Sequence, residues 1–285
     1  RKRMKESDEG RSSFCCCCDW FRLELSRPMF GIDEKNGKQL NLDRSFCTGE
    51  YRSYPIILIK LILCGFSVVT FIYGWISYPY PSFYMAYLSY WTLAYKALYT
   101  LFSFCVTLFS IRSTSLIVKI TWVLYTMASV HGTMVVILYW LTEFKSSYTI
   151  TYLLIMAHGG VFCIILIDGI LVNRVPVRLK HYIFPMIFAI LFISWSIAQA
   201  FIPVDNPTKD GDDGDESLYN ILNWVDSPLS SSIVSILVIF VSFPILTLVY
   251  CLISMLGRPY IRTDADRAAN DEEQPSGGRG YANPF

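Results

Sequence analysis

Six long runs of mostly apolar residues constrain this sequence more than any other feature. They lie at approximately Ile56–Ser77, Tyr84–Ile111, Leu116–Leu141, Thr149–Val172, Tyr182–Ile202 and Ser230–Met255. A helix that crosses the roughly 30 Å hydrocarbon layer of a bilayer needs about 20 such residues. A membrane β-strand is about half that length and alternates in polarity, whereas these runs are continuous. The sequence therefore predicts an all-α fold, a polytopic six-transmembrane-helix bundle.

The overall composition excludes several other classes of protein. Charged residues make up 16% of the 285 residues and hydrophobic residues 53%, with a mean hydropathy of +0.40. Soluble domains are nearer about 25% charged, and helices of a soluble bundle need a polar stripe, for which these runs leave little room. A net charge of +1 gives no electrostatic reason to bind nucleic acid. Membrane lipids are the expected surroundings, and no cofactor is expected.

The positions of Lys and Arg predict the orientation in the membrane. Residues 1–55 contain 11 of the 24 basic residues, and cytoplasmic segments are enriched in Lys and Arg. The acidic connection Pro203–Pro228 should lie on the opposite side. We therefore expect a cytoplasmic arm (1–55), a membrane domain (56–256) and a disordered cytoplasmic tail (257–285). Because residues 1–12 are polar, the first span should also direct membrane insertion.

The N-terminal arm carries four consecutive cysteines, Cys15, Cys16, Cys17 and Cys18. Zinc sites use cysteines separated by two to four residues, so this run is a poor metal site and no metal is expected. Adjacent cysteines on a cytoplasmic arm, followed by aromatic residues, are typical of S-acylation such as palmitoylation. The alternative is an unmodified, reduced run.

Ionisable residues at membrane depth are costly, and each is a candidate functional group. Lys96, His131, His158 and Asp168 are such residues, whereas Lys60 lies near a span end and is expected to snorkel to the surface. Asp168 follows His158 by ten residues and does not share its helix face.

Two hydroxyl groups lie on the same helix face as Lys96. Ser89, Thr92 and Lys96 are spaced by three and four residues. Ser89 should lie about 5 residues inside the second span, roughly 7–8 Å deep, and His158 about 9 residues inside the fourth, roughly 13 Å deep. A hydroxyl and an imidazole can therefore meet in the outer half of the membrane.

Such a meeting allows nucleophilic catalysis. A histidine can take the proton of a serine or threonine hydroxyl and make it a nucleophile. A site open to lipid favours an acyl-ester substrate, with Ser89 or Thr92 as nucleophile and His158 as base. Lys96 and His131 are the candidate substrate-binding groups that polarise the ester carbonyl. The alternative is that these side chains only form interhelical hydrogen bonds.

Several motifs also resemble a known family. The run Val175–Pro185 (VPVRLKHYIFP) resembles the signature between spans 4 and 5 of the rolling stone family, and Leu218–Trp224 (LYNILNW) resembles its loop before the last span. Tyr87–Trp91 (YLSYW) is similar to its Tyr-Leu-Thr-x-Trp motif, with Ser89 in place of threonine. His158 and Gly159 form its His-Gly motif, with Asp168 where the family usually has Glu. The resemblance covers roughly residues 50–260.

The resemblance implies a multi-pass membrane protein of rolling stone type, linked to myoblast fusion during muscle development. Rolling stone proteins are distantly similar to the androgen-induced family, which includes hydrolases of fatty acid esters of hydroxy fatty acids with an essential Thr and His. Carried over, the Thr falls on Ser89 and the His on His158. The implied residence is the plasma membrane or endoplasmic reticulum, and protein partners are not indicated. A transporter or channel is a third interpretation, although no internal repeat supports it.

Overall fold

The computed structural model describes residues 29–30, 39–40, 42–144, 149–201, 219–256 and 260–261. Six long helices lie within these ranges. They are α1 (Tyr54–Ser77), α2 (Leu88–Leu108), α3 (Leu116–Glu143), α4 (Tyr152–Val172), α5 (Leu179–Phe201) and α6 (Pro228–Leu256). The described strands are two residues each, β1 (Gln39–Leu40) and β2 (Tyr260–Ile261), and they pair antiparallel. The cysteine run Cys15–Cys18, residues 203–218 of the acidic connection and the tail after 261 lie outside the described residues.

Five of the six helices are long and apolar enough to cross a membrane, which makes the chain an integral membrane protein. They are α1, α3, α4, α5 and α6. Much of their apolar surface faces outward, as at Phe66 and Val69 of α1, whose side chains are 54% and 60% exposed. In water such a surface would be costly, whereas a lipid bilayer covers it.

The remaining helix, α2, is less apolar than the other five, for a structural reason. It packs against α1, α3 and α4, and one face of it is both buried and polar. Its buried polar residues are Ser89, Thr92, Lys96, Thr100, Ser103 and Thr107. A helix shielded by its neighbours does not need an apolar surface all round, because its polar groups meet protein instead of lipid. The count of six spans stays a prediction.

The second apolar run becomes helical later than the sequence predicts. Pro81 opens a 3₁₀ turn over Pro81–Ala86, and α2 begins only at Leu88. Proline favours the first turn of a helix, and Tyr87, whose backbone is extended with φ of −94° and ψ of 137°, separates the two elements. Ser89 therefore lies in the first turn of α2 and not about five residues inside a helix that begins at Tyr84.

Two π-helical turns interrupt α4, and each contains one of its ionisable residues. His158 lies in the turn Met156–Gly160, and Asp168 lies in the turn Ile167–Val172. Such turns insert one extra residue into the helix and occur frequently at functional sites.

The N-terminal arm packs onto the end of the bundle where α1 begins. The carbonyl of Phe46 accepts hydrogen bonds from Lys60 Nζ at 3.3 Å and from Thr107 Oγ1 at 2.6 Å. The carbonyl of Met29 bonds to Nε2 of His181 at 3.0 Å. The connection between α4 and α5 is buried at the same end, where Trp122 donates to the Pro176 carbonyl. Protein segments therefore cover part of this end of the bundle.

Candidate functional site

Ser89 lines a small cavity at the end of the bundle where α2 begins. Its side chain is 8% exposed. The cavity has a volume of about 50 Å³. Its other lining residues are Leu88, Val135, Leu138, Tyr139, Thr142, Glu143, Tyr219, Ile221 and Leu222. Mostly apolar walls with a few polar groups are a feature of small-ligand sites, although the volume is well below the about 300–1,000 Å³ that is usual for them.

Thr92, the alternative nucleophile, lies one turn further along α2 and is fully buried. Its hydroxyl donates to the carbonyl of Ser89 at 2.8 Å. Donation to the preceding turn is a common way for threonine to satisfy its hydroxyl inside a helix. The geometry therefore favours Ser89 over Thr92 as the hydroxyl that a ligand reaches.

His158 is half-buried on α4 and packs against α3. Its Nδ1 lies 2.9 Å from the carbonyl of Leu154, and its ring stacks on Tyr139 with centroids 3.4 Å apart. Because a carbonyl only accepts, Nδ1 carries the proton in this hydrogen bond, and Nε2 of the neutral ring keeps its lone pair.

The two predicted partners lie on different helices and share one neighbouring residue. Tyr139, which stacks on His158, also lines the cavity of Ser89. Within the described part of the chain, no hydrogen bond joins His158 to Ser89 or Thr92. In the structure, Tyr139 is a neighbour of both His158 and Ser89, and the two side chains are not hydrogen-bonded to each other.

Lys96 is completely buried between α2, α3 and α4. Its Nζ has no hydrogen-bond partner among the described residues and lies 5.9 Å from the ring centroid of Phe162. Gly132 makes room for it, because a Cβ there would be 3.2 Å from the Cε of Lys96. The ammonium group is close enough to interact electrostatically with His131 and His158. A buried lysine amine without a hydrogen-bond partner is costly inside a membrane helix and is a candidate functional group.

His131 is also buried, at a second cavity of about 50 Å³ next to that of Ser89. Its Nε2 lies 3.1 Å from the carbonyl of Pro185, and the ring packs against Phe188 and Phe243. The two cavities share the lining residues Leu88, Leu138, Ile221 and Leu222. His131 therefore lines the second, more apolar cavity, which adjoins the cavity of Ser89.

Tyr219 is a site residue that the sequence reasoning missed. Its hydroxyl oxygen accepts the backbone N–H of Leu88 at 2.8 Å, beside Ser89. Burial raises the pKa of this phenol, which keeps it neutral and able to donate a hydrogen bond at physiological pH. The only signal in the sequence was its position in the Leu218–Trp224 motif.

A second polar cluster lies at the opposite end of the bundle, and it corrects the prediction for Lys60. This residue is 1% exposed and does not snorkel; its Nζ donates to the Ser103 carbonyl at 3.3 Å and to Thr107 Oγ1 at 2.5 Å. Asp168 Oδ2 accepts from Ser103 Oγ at 2.8 Å and from Asn173 Nδ2 at 2.8 Å. The arm adds the Phe46 carbonyl as a third acceptor. Lys60 therefore bonds to protein groups inside the bundle and does not reach water at the surface.

Within the described ranges, no three His, Cys, Asp or Glu side chains lie close enough together to hold a metal ion. No protein-family model, curated protein or solved structure matches the chain.

Proposed function

We propose that the protein is a six-span membrane protein of rolling stone type, with both ends in the cytoplasm, that hydrolyses lipid acyl esters in the outer half of the membrane. The observation that carries the proposal is the setting of His158. Its Nδ1 is held by the Leu154 carbonyl, and its ring is fixed on Tyr139, a wall of the Ser89 cavity. A base needs both a fixed tautomer and a nucleophile nearby.

The chemistry follows from these positions. Nε2 of His158 takes the proton of the Ser89 hydroxyl while Oγ forms a bond to the ester carbonyl carbon. The protonated imidazole then gives that proton to the departing alkoxide oxygen as the ester C–O bond breaks. Water cleaves the acyl-serine by the same two proton transfers. Catalytic hydrogen bonds are often long before substrate binds, so the unbonded pair is compatible with this role.

Tyr219 stabilises the negative charge that develops on the carbonyl oxygen of the ester, by donating a hydrogen bond to it. Its hydroxyl oxygen already accepts from Leu88, so its proton remains available to an acceptor in the cavity. Such donors lower the barrier because they are oriented before the reaction begins. Lys96 and His131 act in substrate binding; His131 lines the second cavity, and Lys96 is close enough to interact with it electrostatically.

A second candidate function, a non-catalytic rolling stone-type role in myoblast fusion, is favoured by one observation. His158 is already satisfied by the Leu154 carbonyl and the Tyr139 ring. These contacts give His158 a structural role in helix packing that needs no catalysis. In both candidates the protein resides in the plasma membrane or endoplasmic reticulum, and S-acylation of Cys15, Cys16, Cys17 and Cys18 attaches the arm to the bilayer.

Labelling of the purified full chain by a fluorophosphonate probe tests the hydrolase proposal. We expect covalent labelling that is lost in Ser89→Ala and in His158→Ala but retained in Thr92→Ala. Ser232→Ala is the matched control, because the hydroxyl of this half-buried serine donates to the Pro228 carbonyl of its own helix at 2.8 Å. Absence of labelling in the folded wild type, together with normal cell fusion by His158→Ala, would overturn the hydrolase in favour of the non-catalytic role.

A further inference from the structure

A larger cavity lies far from Ser89, at the end where α4 and α6 finish. It is a groove of about 340 Å³ between α3, α4 and α6. Its lining includes Tyr125, Gly169, Arg174, Tyr250 and Ser254. This volume lies in the range of about 300–1,000 Å³ that is typical of small-ligand sites.

The walls of the groove are held in place by specific contacts. Gly169 lies against the Tyr125 ring so closely that a Cβ there would be 1.8 Å from a ring carbon. The hydroxyls of Tyr250 and Thr133 are 2.7 Å apart and join α6 to α3. Ser254 Oγ accepts the backbone N–H of Val177 at 3.0 Å. The groove is therefore a built feature of the packed helices.

One side of the groove is charged and the other is apolar. Arg174 is exposed and has a left-handed backbone with φ of 53°, a conformation that non-glycine residues rarely adopt. Among the described residues it has no hydrogen bond or ion pair. Ile253 and Leu256 line the same groove and are 37% and 92% exposed on the lipid side of α6.

We infer that this groove binds an anionic phospholipid from the adjacent leaflet. The guanidinium of Arg174 is placed to bind the headgroup, since its planar donors match phosphate and carboxylate oxygens in pairs. Ile253 and Leu256 then contact an acyl chain. Basic pockets between transmembrane helices at a leaflet surface bind anionic headgroups for this reason. The inference does not depend on the proposed hydrolase.

Native mass spectrometry of the purified full chain tests the inference by measuring retained lipid. The probes are phosphatidylserine and phosphatidylcholine with identical acyl chains. We expect the wild type to retain more phosphatidylserine than phosphatidylcholine. In Arg174→Gln this ratio should fall about fivefold, because one arginine at the membrane surface contributes about 1 kcal/mol to binding of an anionic lipid. Arg174→Lys should keep most of it. Arg112→Gln, at an exposed arginine of the same end outside the groove, is the matched control.

A second pair of variants tests the apolar side. Ile253→Trp fills the groove and should reduce retention of both lipids, whereas Leu252→Trp, at a lipid-facing position that does not line the groove, should not. If Arg174→Gln does not fold, Arg174→Gly removes the charge and suits the left-handed backbone. An unchanged lipid preference without the Arg174 charge, or an equal loss in Arg112→Gln, would overturn the inference. Displacement of the lipid by inorganic phosphate would also overturn it and assign the site to free phosphate.

Discussion

Lys60 of α1 and Asp168 of α4 are joined by a single residue, Ser103 of α2. The Lys60 Nζ donates to the Ser103 carbonyl at 3.3 Å, and the Ser103 hydroxyl donates to Asp168 Oδ2 at 2.8 Å. Both ionisable groups are 1% exposed, and their opposite charges also act on each other. Three helices are therefore held together by one buried polar cluster.

Removing one member of this cluster should destabilise the bundle strongly. Lys60→Met removes the hydrogen bonds of Nζ to the Phe46 and Ser103 carbonyls and to Thr107 Oγ1, and each buried acceptor left unsatisfied costs about 1–3 kcal/mol. We expect a large fall in melting temperature in detergent. Lys119→Met, at a half-exposed position of α3, should change it little. The double variant Lys60→Met, Asp168→Asn should lose less than the sum of the single variants; simple additivity would contradict the coupling.

A methyl group at Gly169 should be far more costly than one at Gly159 in the same helix. A Cβ at Gly169 would lie 1.8 Å from the buried ring of Tyr125, whereas one at Gly159 has no neighbour within 4 Å. Overpacking of this kind costs about 1–3 kcal/mol, while alanine in an open helical site is favourable by up to about 1 kcal/mol. Thermal unfolding of Gly169→Ala and Gly159→Ala measures the contrast. Equal melting temperatures would show that the Tyr125 ring moves freely.

Single cysteines in an otherwise cysteine-free chain test whether α2 crosses the membrane. Tyr80, 44% exposed, precedes α2, and Thr114, also exposed, follows it. With six spans, Tyr80→Cys should react with an impermeant maleimide on intact cells, and Thr114→Cys only after permeabilisation. Val225→Cys, at a position 60% exposed before α6, is the outer reference. Labelling of Tyr80→Cys and Thr114→Cys from the same side of the membrane would show that α2 does not cross it.

Cys47 should be a poor acyl acceptor although it lies on the arm. It is 4% exposed, and its Sγ lies 3.6 Å from the Val172 carbonyl. Burial raises the pKa of its thiol, so less of the reactive thiolate is present near neutral pH than for a free cysteine. We expect hydroxylamine-sensitive lipid labelling to persist in Cys47→Ser and to vanish when Cys15, Cys16, Cys17 and Cys18 become serine. The reverse result would move the acylation site to Cys47.

The contribution of Tyr219 to catalysis can be measured separately from that of the nucleophile. Tyr219→Phe keeps the ring beside Tyr87, whose centroid is 5.9 Å away, but removes the hydroxyl donor. Loss of one such donor typically lowers kcat by about 10²–10³-fold. Fluorophosphonate labelling of Ser89 should persist. A variant that hydrolyses ester substrates at the wild-type rate would exclude this donor role.

Hydrophobic run length alone determined the class of this protein. Five of the predicted runs are helices able to cross a membrane, because in lipid a continuous apolar segment must satisfy its backbone internally. The sequence also identified Lys96 and His131 as buried polar groups, since charged and polar residues inside apolar runs are visible one by one.

Tertiary structure decided what those groups contact. Lys60 near a span end looks free to snorkel, whereas in the fold the Ser103 carbonyl and Thr107 hydroxyl of α2 and the Phe46 carbonyl of the arm give it buried partners. Tyr219 lies 130 residues after Ser89 in the chain, yet both line one cavity. Spacing along a helix predicts which residues share a face, but it carries no information about which face of another helix lies opposite. That choice depends on how all the helices pack together, so only the folded bundle determines it.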